Sequence, residues 1–111
     1  MSSVIRDQER RRAQRVMIRI PIQLQGMGHN GAAIDERGEA VVVSRCGALL
    51  QTASPLPSGA IFEVRNQFSR DVERFRVVWA SGRQAGGQYD AGVELLTARE
   101  GFWGVKFPPN S

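Results

Sequence analysis

The chain reads as all-β, an antiparallel barrel or compact sandwich of six short strands behind a basic N-terminal arm. Three observations carry this reading. Apolar residues alternate from Ile18 through Ile20 and Ile22 to Leu24, with Arg19, Pro21 and Gln23 between them, which is the period of a half-buried strand. Further runs rich in β-branched and aromatic residues follow at Glu39 to Ser44, Ala48 to Thr52, Ile61 to Asn66, Val72 to Trp79 and Tyr89 to Leu96. Turn chemistry separates them at Gly26 to Gly38, Pro55 to Gly59, Asn66 to Ser69 and Gly82 to Gly87.

Taken in order, the arm spans residues 1–15, the β-domain 16–100 and an aromatic, proline-ended tail 101–111. Arg6, Arg10, Arg11, Arg12, Arg15 and Arg19 set six arginines against Asp7 and Glu9, which gives the whole formal charge of +4. The remaining nine basic and nine acidic residues cancel. Guanidinium forks match phosphate geometry better than ammonium groups do, and lysine occurs only at Lys106. The arm is therefore suited to a shaped anionic partner. A helix over Ile5 to Gln14 would be short and polar, marginal without a partner.

In the first strand, Pro21 points to an edge or a bulge. Strand periodicity places Ile18, Ile20, Ile22, Leu24, Val41, Val43, Leu49, Phe62, Val64, Phe75, Val77, Trp79, Val93 and Leu95 inside. Val42 and Ser44 then face outward. The tail is expected to pack Phe102, Trp103 and Phe107 over an open end of the fold.

Composition excludes several classes. One cysteine, Cys46, forms no internal disulfide, and one Cys with one His builds no zinc set. A reducing, cytoplasmic setting is expected. The aliphatic run Ala40 to Val43 is too short to span a bilayer, and residues 1–15 lack an apolar signal core. Gly26-Met27-Gly28-His29-Asn30-Gly31 matches a dinucleotide fingerprint, but that motif needs a helix to present its amides, and another strand follows here. A glycine-rich hairpin with His29 as a solvated turn residue is the expectation. Asp35 with Glu36, and Asp71 with Glu73, read as exposed charges, so the chain is expected not to be an enzyme and to need no cofactor or metal.

The segment Val42-Val43-Ser44-Arg45-Cys46-Gly47 places a hydroxyl, a guanidinium and a glycine at a strand end, a small anion-receptive corner. Together, arm and corner resemble the PilZ domain, a bacterial β-barrel that receives the second messenger cyclic di-GMP. Its signatures are R-x-x-x-R before the first barrel strand and D/N-x-S-x-x-G at the end of the next. Arg11-Arg12-Ala13-Gln14-Arg15 satisfies the first, and Val42 to Gly47 satisfies the second except at Val42. The likeness extends through Gly47-Ala48-Leu49-Leu50, Leu56-Pro57-Ser58-Gly59, Val77-Val78-Trp79 and Gly92-Val93-Glu94-Leu95, covering about Arg10 to Leu96.

The resemblance implies a six-stranded antiparallel barrel binding cyclic di-GMP through Arg10, Arg11, Arg15, Ser44, Arg45 and Gly47. Arg11 and Arg15 would clamp phosphate and stack on guanine. Arg10, by extending the run, would go with an intercalated ligand dimer. Val42 replaces the residue that reads the guanine edge, which implies weaker binding. The alternative is a degenerate PilZ domain acting as a protein-interaction module, and a downstream protein partner is expected on either reading. A nucleic-acid-binding barrel would interleave exposed aromatics with basic residues, whereas Phe62, Phe75 and Trp79 are placed inside, so no nucleic acid is expected.

Overall fold

The computed structural model describes residues 15–83, 86–97 and 101–105. Arg10 and Arg11 lie outside the described residues, as do the rest of the arm before Arg15 and Phe107. Six strands form, β1 (Val16–Met27), β2 (Ala33–Val43), β3 (Gly47–Thr52), β4 (Ile61–Asn66), β5 (Val72–Arg83) and β6 (Tyr89–Leu95). They close in the order β1-β2-β3-β6-β5-β4, every pair antiparallel. Closure leaves the barrel without an edge along the paired segments, which the sandwich alternative would have kept.

Side-chain alternation produces the core. Ile20, Ile22 and Leu24 of β1 meet Phe62 and Val64 of β4, Phe75 and Val77 of β5, and Ala91 and Val93 of β6, all buried. Ala40 and Val43 of β2 and Leu50 of β3 complete the wall. Ile18 and Leu95 pack against this core from its partly exposed margin.

Three residues expected inside fall outside it, each for a backbone reason. The pairing β2 to β3 jumps from Ala40↔Leu50 to Val42↔Leu49, so Val41 is the extra residue of a bulge and is only half-buried. In β3 either leucine could have held the inward phase. The pairs Val43↔Ala48 and Leu50↔Ala91 give that phase to Ala48 and Leu50, leaving Leu49 facing out. In β5 the pairing runs from Val77↔Val93 to Trp79↔Gly92, so two residues oppose one and both Val78 and Trp79 face outward, Trp79 48% exposed.

The loop expected from Gly26 to Gly38 is shorter than that. β2 begins at Ala33, and only Gly28 to Ala32 turns, through a single 3₁₀ turn at His29–Gly31 with Asn30 at φ 63° and Gly31 at φ 71°. No α-helix follows those glycines, as expected, and His29 is exposed. The early part of β2 was hidden in the sequence by its polarity: Asp35 accepts from Gln23 Nε2 at 2.7 Å and Gln25 Nε2 at 3.2 Å across the hairpin. Pro21 sits in register with Glu39, and its carbonyl accepts from Gln67 N at 3.0 Å. The N and C=O of a strand residue face the same side, so the missing N–H falls where the β4 ladder, which reaches Ile22↔Asn66, has ended.

Residues 101–105 pack onto the barrel core. Phe102 and Trp103 are buried, and Phe102 O accepts from Asn66 Nδ2 at 2.8 Å. Asn66 Oδ1 in turn receives Phe68 N at 2.9 Å and Ser69 N at 3.3 Å, so one buried amide ties the β4–β5 turn to the tail. Removing it strands these partners. Asn66→Ala is expected to lower stability by about 2–3 kcal/mol, read as a lower urea midpoint; an unchanged midpoint would show that water replaces the amide at no cost.

Candidate functional site

An open pocket of about 370 Å³ lies on the outer barrel wall where β1 starts, β2 ends and β3 begins, and it reaches across β6 to β5. Registers build its floor. Val42 pairs with Leu49, Leu49 with Gly92 and Gly92 with Trp79, which sets one outward row across β2, β3, β6 and β5; Met17, paired with Val42, continues the row beyond the lining residues. Met17 is 85% exposed, Val42 and Leu49 are half-buried, and Trp79 covers Gly92. A Cβ on Gly92 would come within 2.6 Å of Trp79 Cε2, so the glycine is what lets the indole lie against β6.

Above this row the turn from Ser44 to Gly47 closes on itself. Ser44 N donates to Gly47 O at 2.9 Å, and Gly47 N donates to Ser44 Oγ at 3.1 Å. Ser44 Oγ also lies 3.4 Å from Gly47 O and 3.9 Å from Cys46 Sγ. Leu95 N donates to Cys46 O at 2.7 Å, which fixes the turn to the end of β6. The Gly47 amide is thus already paired with the serine. Gly47 instead gives the site closeness: a Cβ there would collide with the Val93 carbonyl, so only glycine lets β3 and β6 approach at this point.

The structure brings together Arg15, Val42, Ser44 and Gly47, all lining this one pocket. Val42 faces it as strand phase required. Arg15 is exposed and enters immediately before Val16, which pairs with Val43 beside the serine turn. Arg45 is half-buried, does not line the pocket and is not without a partner. Trp79, Val78, Leu49, Val93 and Glu94 are lining residues that motif spacing did not single out. The signal for Trp79 lay in Gly92, whose absent side chain its ring fills, but a bulge is needed to see it.

The pocket's character is mixed. Its walls are mainly aliphatic and aromatic, with Arg15, Cys46 and Glu94 as its ionisable groups. Glu94 Oε2 accepts from Arg76 Nη1 at 3.2 Å, and both side chains of that pair are half-exposed. Such a site accepts a flat apolar face while meeting an anion at one rim. Asn66 is buried, bonded to Phe102 O, Phe68 N and Ser69 N, and does not line the pocket. His29 lies beyond the far end of β1.

No family model matches this chain, and no curated protein matches it. Among the described residues, no group of His, Cys, Asp or Glu side chains is placed to hold a metal, and no helix is long and apolar enough to cross a membrane.

Proposed function

We propose that this chain is a PilZ-type receptor that binds cyclic di-GMP, the purine seated on the Trp79 to Val42 row and a phosphate at Arg15. One observation supports the reading above all others. Residues from two motifs separated along the sequence, Arg15 from the first and Val42, Ser44 and Gly47 from the second, line the same pocket. A volume of about 370 Å³ is at the small end of ligand pockets, which run about 300–1,000 Å³, and suits one base with its phosphate while the second nucleotide projects outward.

Each residue then has a task. Arg15 offers a planar, multi-donor cation to phosphate oxygens. The indole of Trp79 presents a π-face for stacking, a contact worth about 1–3 kcal/mol per base in nucleic-acid sites. Ser44 orders the turn through its bonds to Gly47, and Gly47 lets β3 and β6 close up beneath that turn. Val42 contributes apolar contact where PilZ domains carry a polar reader, which reduces affinity without removing the stacking surface. Arg10 and Arg11 would add to the clamp from the arm.

Calorimetric titration with cyclic di-GMP, repeated with GMP, tests this. Saturable binding is expected for the cyclic dinucleotide, and Arg15→Ala should weaken it by about 1.5–3 kcal/mol with the melting temperature unchanged. Equal affinity in Arg15→Ala would remove the clamp. A second reading, the protein-interaction module, draws on the exposed apolar surface itself, since Met17 is 85%, Val78 53% and Trp79 48% exposed. It would stand if the pocket ignores the dinucleotide entirely. Trp79 also removes one argument against a nucleic-acid binder, because it faces outward, whereas Phe62 and Phe75 are buried as expected.

A further inference from the structure

We infer that Glu94 supplies the acceptor missing at Val42, reading the hydrogen-bonding edge of the seated purine and making the pocket selective for guanine over adenine. The inference rests on the cyclic-dinucleotide reading of the pocket. Among the described lining residues Glu94 is the one carboxylate. A carboxylate in a pocket that takes phosphate repels its ligand unless it meets donors. Guanine carries two adjacent donors on its pairing edge, N1–H and the exocyclic N2–H₂, and a carboxylate, being acceptor-only, matches both. Adenine offers there an acceptor at N1 beside a single donor at N6, so it makes one bond and meets one repulsion where guanine makes two bonds.

Position supports the assignment. Val93 is buried, so its neighbours Gly92 and Glu94 share the outward face of β6, about 6.6 Å apart along the strand. A ring stacked on the Trp79 indole over Gly92 therefore extends its edge toward Glu94. The carboxylate is also oriented in advance: Arg76 Nη1 holds Oε2 at 3.2 Å, leaving Oε1 without a bond to any described residue. The other polar groups of this wall are less suited. The Ser44 hydroxyl is shared with Gly47, Val42 has no polar atom, and Arg15 only donates.

Parallel titrations of the intact protein and of Glu94→Gln with cyclic di-GMP and cyclic di-AMP decide the matter. The wild type is expected to favour the guanine ligand by about 10- to 100-fold, the range of one good bidentate base contact. In Glu94→Gln the preference should shrink to within about threefold, because affinity for cyclic di-GMP falls by about tenfold while that for cyclic di-AMP holds or rises. Folding should be unaffected, since an exposed ion pair contributes little, and a melting curve checks it. A guanine preference that survives in Glu94→Gln, or a wild type that treats both ligands alike, overturns the role of Glu94 and leaves the dinucleotide reading standing. Binding of neither ligand overturns both together.

Discussion

Phe75→Ala is expected to cost about 3–5 kcal/mol of folding stability, the largest loss foreseen for any single side chain in this barrel. Phe75 is fully buried and lies opposite Phe62 on β4 and Leu95 on β6, so it joins two sides of the wall. It is also where the tail docks. Its ring centroid lies 5.4 Å from that of Phe102 and 5.7 Å from that of Trp103, and those two meet edge to face at 4.8 Å. Truncation therefore opens a cavity and removes two aromatic contacts, each worth about 0.5–1.5 kcal/mol beyond area burial. Trp103 is 5% exposed, so its emission should shift to the red when the tail lifts. Urea unfolding followed by that emission is the measurement. A loss under about 1.5 kcal/mol would mean that the tail does not depend on Phe75 for its seat.

Where the sequence was readable, the physics was local. Alternation in β1 and β4 is uninterrupted across Ile20, Ile22 and Leu24, and across Phe62 and Val64, and these five residues are buried as the period requires. The aromatics Phe102 and Trp103 were also legible, because two large apolar rings side by side after the last strand are too costly to leave in water and the barrel is the surface available to cover them.

Errors gathered where a single extra residue resets the phase. Nothing in Val77-Val78-Trp79 says that the backbone bulges there, since all three residues favour strands and a strict period sends Trp79 inward. Adjacent Leu49 and Leu50 posed a related problem, as both phases of β3 were apolar. The same two errors concealed the pocket floor. A strict period assigns Leu49 and Trp79 to the core, which leaves only the motif residues, Val42 and Gly47 among them, to mark the site. What the sequence did place together, Arg15 with Val42, Ser44 and Gly47, followed from a resemblance in spacing, and the strand registers give it a physical basis in the pairing of Val16 with Val43.

Gly92→Ala and Gly47→Ala should separate the pocket from the fold. At Gly92 the added methyl meets the Trp79 ring, with Cε2 at 2.6 Å, and the ring is a half-exposed side chain able to swing outward. Stability should fall by no more than about 1 kcal/mol. Cyclic di-GMP binding should drop by about tenfold or more, because the stacking surface is displaced. At Gly47 the methyl meets the Val93 carbonyl, a backbone atom inside the β3–β6 ladder, and relief requires the two strands to part. There the folding loss should reach about 3 kcal/mol, and binding should fail as a consequence. Thermal melting and calorimetry on both variants read the two effects. If Gly92→Ala binds the dinucleotide as the wild type does while melting normally, Trp79 is not the surface on which the base rests, and the ligand must lie toward Arg15 and Val42.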